Sequence, residues 1–407
     1  MIEVSQAFKS AMLDSTDFRC RATITMQDST TIQLTDADFT IGGSSIVDGA
    51  AVNGFPIGVA IGRSVKLSLM NSGGRFDSYD FSCASVHLWI TFKLPDDTTE
   101  EIDAGIFTVT TPETPGATLI ISASDDMYKT DNGYSTSGTF PMSLAEMFTD
   151  ACSTCGITPA SAQFRNSDFV VTSIPAGVST YRELFGHIAG IAGGNAKINR
   201  EGKMEIVTYD FSDEAPRHDL SMWGGLTSAA ESIMINGVVS GEYHSGGEDG
   251  YLLAIDNPLI SGNEQDALDR IADIVCGAYF RRFSGDHISY PLVECMDLAM
   301  ITDAKSNQWL TVITDVTFNF GGFTSMTNSA TSAIDNAATY ISATEKVKGE
   351  LTDQISSEVE DINRTITEQE ASLTDTVERR MDQLTATLTG DYVAQSEFGS
   401  YVEALSA

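Results

Sequence analysis

In 59-VAIGRSVKLSLM-70, apolar side chains alternate with polar ones over most of the segment. The alternation places Val59, Ile61, Val65, Leu67 and Leu69 on one face of an extended chain and Ser64, Lys66 and Ser68 on the other. A period of two residues is that of a β-strand with one face buried and one face in water. The segment therefore predicts a half-buried strand.

The same pattern continues on the C-terminal side of this strand. The segment 84-ASVHLWITFKL-94 repeats the alternation, and 104-AGIFTVT-110 and 117-ATLIISA-123 follow after turn-rich breaks. Several short strands at this spacing are typical of a small antiparallel barrel or sandwich. We expect a β-barrel domain over residues 1–124.

The period then changes from two to 3.6. Ser143-Leu-Ala-Glu146 is a capping box, and Gly156 is placed to end the helix that it begins. Thr180-Tyr-Arg-Glu183 begins a second helix, and 194-GNAKINREGKMEIVTYD-210 is typical of a hairpin. These elements predict a mixed α/β domain over residues 125–224.

The β pattern returns near Ser228, in 232-SIMINGVVSGEY-243 and 309-WLTVITDVTFNFGG-322. Between them, 263-NEQDALDRIADIVCGAYF-280 has apolar residues at helical spacing. We expect a second β-barrel domain over residues 225–325, with a helical insertion at about 263–280.

After Gly322 the composition becomes polar and free of proline, and one apolar stripe remains. The stripe advances by 4, 4 and 3 residues in turn, and this period of 3.67 favours a nearly straight or gently right-handed coiled coil. A lone helix of this composition would bury nothing, so we expect identical partners, with a groove on another surface as the alternative. The predicted oligomer interface consists of Leu351, Ile355, Val359, Ile362, Ile366, Glu370, Leu373, Val377, Met381, Leu384 and Leu388.

The predicted fold class is thus α+β and multidomain. Two antiparallel β-barrel-like domains are separated by a mixed α/β domain, and a coiled-coil stalk over residues 326–407 follows. The stripe itself does not distinguish two, three or four strands. The last segment has no terminating signal, and we expect a longer natural chain.

The 407 residues carry a formal net charge of −34, and residues 331–407 contribute −10 of it. A surface this acidic repels DNA and anionic lipid, so any role near nucleic acid would be non-adhesive, such as lining a passage. The alternative is that acidity only keeps the protein soluble. The N-terminal sequence has no signal-peptide pattern, and we expect synthesis in a cytoplasm.

The six cysteines are too sparse for a disulfide framework. Cys152 and Cys155 are the pair at metal or redox spacing, but zinc would require a second pair that the sequence lacks. We interpret the thiols as reduced and structural, with a metal site, a redox pair, or a peptidase that uses His187 or His218 as the alternatives.

Motifs for phosphate loops, hydrolase elbows, zinc peptidases and EF-hands are absent from the sequence. The acidic pairs Asp96-Asp97, Glu100-Glu101 and Asp125-Asp126 are interpreted as solvated turns, with a glycosidase pair as the alternative. We therefore predict no catalytic, cofactor-binding or metal-binding residues in this chain.

Seven segments, in this order, resemble the tail-tip hub family of long-tailed bacteriophages, also called tail-associated lysins or baseplate hub proteins. The segments are IEVSQAFKSAMLDSTDFRCRATI, VKLSLMNSGGRFDSYDFSCASVHLWITFKL, GIFTV, IISASDDMY, NAKINREGKMEIV, PLVECMDLAMITD and VTFNFGG. The resemblance covers about residues 1–325. Met296 departs from it, because a glycine is expected before Asp297.

The resemblance implies a homotrimer in which two related β-barrel domains of each chain alternate around a ring that matches the six-fold tail tube. It implies binding to the distal tail protein, to the C-terminus of the tape-measure protein and to fibre or receptor-binding proteins. Such a hub closes the tube at the virion tail tip and opens for DNA, which touches it only in transit.

Two other classes remain open at this point. The chain could be the scaffold half of a peptidoglycan hydrolase whose catalytic domain lies beyond Ala407. It could also be a host-binding adhesin or the hub of a contractile injection device.

Overall fold

The computed structural model describes residues 2–12, 18–50, 54–112, 116–136, 138–330 and 380–381. Strands form 40% and helices 18% of these residues. The described part of the chain is therefore mostly β, and the predicted α+β class is wrong. The predicted coiled-coil stalk over residues 326–407 begins too early, because residues 326–328 belong to a β-strand, and beyond residue 330 only Arg380 and Met381 are described.

The first part of the chain forms a short helix and then strands. In chain order these are α1 Gln6–Ala11, β1 Phe18–Thr25, β2 Thr31–Leu34, β3 Ser45–Gly49, β4 Ala60–Ile61, β5 Arg63–Met70, β6 Ser85–Lys93, β7 Thr99–Pro112 and β8 Thr118–Ser124. The alternation seen in the sequence is the reason for the burial pattern, since Val65, Leu67 and Leu69 of β5 are buried while Ser64 and Lys66 are exposed.

Both capping boxes in the middle of the chain are confirmed. The elements here are β9 Met142–Ser143, α2 Leu144–Cys155, β10 Val170–Val171, α3 Tyr181–Ile191, β11 Gly194–Ile198 and β12 Met204–Thr208. The Ser143 hydroxyl accepts a hydrogen bond from the Glu146 amide, and Thr180 caps α3 in the same way through Glu183. Gly156 ends α2 in the left-handed conformation, as predicted.

The last third of the described chain is again rich in strands. Its elements are β13 Arg217–Leu220, β14 Trp223–Ser228, β15 Ile233–Ser240, β16 Tyr243–Gly246, β17 Tyr251–Ala254, α4 Glu264–Val275, β18 Tyr279–Phe280, β19 Phe283–His287, β20 Leu298–Thr302, β21 Gln308–Val312, β22 Asp315–Asn319 and β23 Thr324–Asn328. Helix α4 is shorter than predicted. Cys276 is extended and Gly277 has a positive φ, so Tyr279 belongs to a strand.

The prediction of two separate β-barrels is wrong. One eleven-stranded sheet has the order β14-β19-β23-β22-β3-β5-β8-β7-β6-β1-β2, and it contains no closed barrel in the described chain. Strands from both predicted barrel domains thus share one sheet, joined where β22 pairs antiparallel with β3. Hydrogen bonding between β22 and β3 covers what would otherwise be two open sheet edges.

Two segments predicted as single strands are each divided between two sheets. The segment 59–70 breaks at Gly62, so that β4 pairs parallel with β11 while β5 joins the large sheet. The segment 309–322 breaks at Ile313-Thr314, so that β21 pairs with β20 while β22 joins the large sheet. These breaks are where the chain passes from the large sheet to its neighbours.

The described residues bury three apolar cores. One lies within the N-terminal strands of the large sheet and contains Phe8, Phe92 and Phe107. A second surrounds helices α2, α3 and α4, with Phe148 and Phe185 at its centre. A smaller third core contains Trp309 and Met326. The large sheet and the helical layer thus bury separate sets of side chains, and their junction is the region between β3, β5 and β11.

Candidate functional site

The predicted oligomer interface is almost entirely outside the described residues. Leu351, Ile355, Val359, Ile362, Ile366, Glu370, Leu373, Val377, Leu384 and Leu388 are not described. Met381 is helical and 63% exposed. The prediction that these residues mediate self-association stays a prediction.

The paired cysteines are poor nucleophiles. Cys152 is buried in α2 and Cys155 is half-buried in its last turn. Burial, with a smaller contribution from the neighbouring thiol, raises the pKa of Cys152 to about 12, and burial raises the pKa of Cys155 to about 11. Both thiols are protonated near neutral pH, and this disfavours thiolate chemistry.

One of the two histidines that a peptidase could use, His218, has other partners. His218 lies in β13, with Nε2 2.9 Å from Asp297 Oδ2 and Nδ1 3.2 Å from the Tyr290 hydroxyl. Burial raises the pKa of Tyr290 to about 12, so this hydroxyl keeps its proton. The contacts of His218 hold β13 to the loop before β20.

Within the described ranges, no group of three or more His, Cys, Asp or Glu side chains is arranged to hold a metal ion. Asp96 accepts hydrogen bonds from the Thr98 amide and hydroxyl, as expected of a turn. Glu101 is exposed and pairs with Arg21 at 2.7 Å, but it lies in strand β7 and not in a turn. Asp125 is buried, so its interpretation as a solvated residue is wrong. No helix in the described part of the chain is long and apolar enough to cross a membrane.

Buried and half-buried charged side chains are concentrated where the large sheet meets β11, with Arg200 and Glu294 half-buried. We call Asp48, Arg63, Asp125, Lys197, Arg200 and Glu294 the junction cluster. Lys197 Nζ lies 3.3 Å from Asp48 Oδ2, and the two side chains are 7% and 6% exposed. The same ammonium donates to the Cys295 carbonyl at 3.2 Å, and the Cys295 amide donates to Asp48 Oδ2 at 3.0 Å. These bonds connect β3, β11 and the loop before β20.

A second part of the junction cluster connects the turn after β11 to the same loop. Arg200 Nε donates to Glu294 Oε1 at 3.0 Å, and its guanidinium also donates to the Asp103 carbonyl in β7. Arg63 Nη2 donates to the Ala104 carbonyl at 2.8 Å. The guanidinium groups therefore satisfy carbonyl groups where β7 is irregular, beside Gly105 with its φ of 114°.

Asp125 completes the cluster at the end of β8. Its carboxylate accepts hydrogen bonds from the Arg63 amide at 2.8 Å and from the Met127 amide at 3.1 Å. Burial raises its pKa to about 6, although the two amides and the Arg63 charge act in the opposite direction. Asp125 is thus a buried acid that begins the helical turn Asp126–Asp131.

The charges of the cluster stabilise one another. Burial favours neutral Lys197, but the carboxylates of Asp48 and Glu294 outweigh this effect and raise its pKa. Burial also favours neutral Glu294, but Lys197, Arg200 and Arg63 together lower its pKa. Lys197 remains protonated, and a protonated amine cannot form the covalent adducts of a catalytic lysine. The geometry supports a structural role, which is to fix the orientation of three segments.

Sequence reasoning did not find this cluster. Its members are as far apart in sequence as Asp48 and Glu294, and no local motif connects them. One local signal was a charged residue at an inward strand position, because Asp48 lies on the same strand face as Ile46. Lys197 gave no such signal, since alternation places it on the face opposite to Ala196 and Ile198 and only the structure shows β11 buried on both faces. Such positions are expensive unless a partner of opposite charge is present.

The described surface also carries apolar side chains and open strand edges. Met234 and Tyr279 are opposite each other where β15 pairs with β18, and Tyr279 is 52% exposed. Met234 also borders a groove of about 490 Å³ that includes Ile233, Tyr251 and Arg282. Strand β14 is an edge of the large sheet and is mostly exposed. Open edges and exposed apolar pairs are the features of subunit contacts.

No protein-family model and no curated protein matches the sequence. Solved structures do match the fold. A 43 kDa tail protein of prophage MuSo2 from Shewanella oneidensis matches with a TM-score of 0.44 and 11% identity, over 75% of this chain and 95% of that one. The half-lidded PdpA-VgrG complex of Francisella matches with a TM-score of 0.43 and 10% identity, over 79% of this chain and 60% of that one.

A topological model of the p2 virion baseplate in its activated conformation matches with a TM-score of 0.33 and 8% identity, over 76% of this chain and 99% of that one. Phage tail and baseplate proteins are thus among the structural neighbours of this chain. At these TM-scores the likeness implies nothing about partners or activity.

Proposed function

We propose that this chain is a structural subunit of a bacteriophage tail, a homotrimeric hub that closes the distal end of the tail tube, adapts six-fold to three-fold symmetry and opens for DNA ejection. It has no catalytic activity of its own in this proposal. Its partners are the distal tail protein, the C-terminus of the tape-measure protein and fibre or receptor-binding proteins.

The observation that carries the proposal is the pairing of β22 with β3. It places the N-terminal strands, residues 18–124, beside the C-terminal strands, residues 223–328, in one sheet. The resemblance implies two β-barrel domains per subunit for a three-fold ring that presents six units to a tube, and in this proposal the two sets of strands in the one sheet take the place of the barrels. The junction cluster would keep the two units from rotating against each other.

The buried chemistry is consistent with a structural role. Lys197 is held in its charged form by Asp48 and Glu294, Glu294 is held in its charged form by Lys197 and Arg200, and Cys152 and Cys155 are protonated. None of these groups is prepared for nucleophilic or acid-base catalysis.

Self-association in this proposal uses two regions. The apolar residues predicted between Leu351 and Leu388 supply one, and the exposed edge strand β14 supplies the other. The net charge of −34 lets DNA pass the ring without adhering to it.

Labelling of intact virions tests the location. Antibody raised against this chain, coupled to gold and added to purified virions, is expected to label the end of the tail opposite the head. A virion preparation in which mass spectrometry finds no trace of this chain would overturn the proposal. Label along the whole tail would contradict the hub and would favour a tube protein instead.

Two solution assays separate the other classes. The purified chain is expected neither to release peptidoglycan fragments nor to bind host cells. Release of fragments would favour the hydrolase, and saturable binding to cells would favour the adhesin. Serum albumin at equal concentration is the control in both assays.

A further inference from the structure

Two members of the junction cluster face each other across neighbouring strands without pairing. Asp48 in β3 and Arg63 in β5 are directly opposite in the antiparallel register, and both are buried. Asp48 uses Oδ2 to accept from Lys197 and Cys295, whereas Arg63 uses Nη2 to donate to Ala104. The two opposite charges are thus neighbours whose hydrogen bonds go elsewhere.

Each of the two side chains has one buried polar atom that forms no hydrogen bond with any described residue. These atoms are Asp48 Oδ1 and Arg63 Nε, and both are inaccessible to solvent. Buried polar atoms in folded proteins nearly always have a hydrogen-bond partner, because an unsatisfied one costs roughly 1–3 kcal/mol. One molecule that donates to Asp48 Oδ1 and accepts from Arg63 Nε would satisfy both atoms.

A cavity lies at the same place. It measures about 20 Å³ and is lined by Asp48, Arg63, Arg200 and Glu294 together with apolar side chains that include Val316. A cavity of roughly 10–15 Å³ or more is large enough for one water molecule when two to four polar partners are present. No larger ligand fits this volume.

The chemistry of the lining determines what can bind. An anion would be repelled by the Asp48 carboxylate and a cation by the Arg63 guanidinium. A neutral molecule that both donates and accepts fits, and at this size it is water. We propose that one ordered water molecule binds here, donates to Asp48 Oδ1 and accepts from Arg63 Nε.

A bridging water would complete the hydrogen bonding between β3 and β5 at the junction. It would connect the Asp48 carboxylate, which pairs with Lys197, to the Arg63 guanidinium, which donates to the Ala104 carbonyl in the irregular part of β7. The water would then belong to the structure as much as the side chains do. This inference does not depend on the proposed function.

Crystals of the full chain test the proposal directly. At a resolution at which ordered waters are seen, we expect one density peak at about 2.7–3.2 Å from both Asp48 Oδ1 and Arg63 Nε. A cavity without density, while ordered waters are visible elsewhere, would overturn the proposal.

A matched pair of variants measures what the water contributes. Val316 lines the cavity and is opposite Asp48 in the β22–β3 register. Val316→Ile adds one methylene there, and Val86→Ile adds one in a buried position of β6 that does not line the cavity. We expect Val316→Ile to remove the density peak and to raise the unfolding constant roughly tenfold more than Val86→Ile does. Equal effects of the two variants would contradict the proposal, because filling an empty cavity displaces no water and therefore removes no hydrogen bond.

Discussion

At the scale of single residues, the junction cluster depends on the positive charge of Lys197. Lys197→Met keeps most of the apolar part of the side chain but leaves the buried Asp48 carboxylate without its ion-pair partner. Glu294 loses one of its cations but keeps its pair with Arg200. Breaking a buried pair in this way costs about 3–5 kcal/mol. We expect a decrease of this size in the free energy of unfolding, measured by urea denaturation.

Lys93→Met is the matched control, because Lys93 pairs with Asp97 on the surface, where the two side chains are 59% and 84% exposed. Exposed pairs contribute about 0–1 kcal/mol. If the two variants lost the same stability, the junction cluster would not have the role assigned to it.

The raised pKa of the Asp125 carboxyl predicts how the free energy of unfolding changes with pH. Its pKa is about 6 in the folded protein against an ordinary value of 3.8, so the folded state binds more protons than the unfolded state between these values. Stability from this group therefore falls as pH rises from 4 to 6, by at most about 3 kcal/mol. We expect the stability of the wild type, relative to Asp125→Asn, to fall across this range.

Glu294 acts with the opposite sign. Its lowered pKa contributes stability that is lost as pH falls below the ordinary glutamate range. Both proteins contain Glu294, so the difference between their unfolding free energies isolates Asp125. Two parallel curves of stability against pH would refute the assignment.

Met296 stands where the family resemblance led us to expect glycine, and the structure gives it a φ of 81°. The turn is therefore present, and an L-residue occupies it at a cost of about 1–2 kcal/mol. Met296 is also buried, and truncating a buried methionine costs about 2–5 kcal/mol. Burial outweighs backbone strain, and we expect Met296→Gly to lower the thermal midpoint.

Ser29 provides the comparison, because it has a φ of 69° but is exposed in the turn between β1 and β2. With no burial to lose, Ser29→Gly is expected to be neutral or to stabilise by up to about 1 kcal/mol. Stabilisation by Met296→Gly in the same melting experiment would show that strain is the larger effect.

At the scale of elements, helix α3 packs closely on the chain before β4. A Cβ added at Gly186 would lie 2.5 Å from the Gly58 carbonyl oxygen. Helix propensity alone favours alanine over glycine by about 1 kcal/mol, but the contact is with backbone that cannot give way without moving β4. We expect Gly186→Ala to destabilise the protein in a denaturation experiment.

Ser153→Ala in α2 is the control, since Ser153 is exposed and the substitution changes helix propensity without a new contact. It is expected to be neutral or slightly stabilising. A stabilising Gly186→Ala would mean that α3 is less closely packed than described.

Elements with local signals were predicted well. Ser143 and Thr180 mark the starts of α2 and α3, and a capping box needs only four consecutive residues. The breaks at Gly62 and at Ile313-Thr314 were not predicted, because alternation shows which side chains face inward and not which sheet the strand joins. The junction cluster was missed because its residues are far apart in the sequence and come together only when the sheets form.

At the scale of the whole molecule, the β22–β3 pairing replaces two predicted barrels by one open sheet. The prediction failed because it assumed that strands near in sequence close on each other, whereas the free edge of each set pairs with the other set. The proposed hub depends on this arrangement, since one rigid subunit would contribute two β units to a ring.

The mass of the full chain in solution tests this account most directly. Light scattering on the purified protein is expected to give about three times 43.6 kDa, independent of concentration over the measured range. A mass of 43.6 kDa at every concentration would contradict the trimeric hub, because a chain that does not associate cannot form the ring.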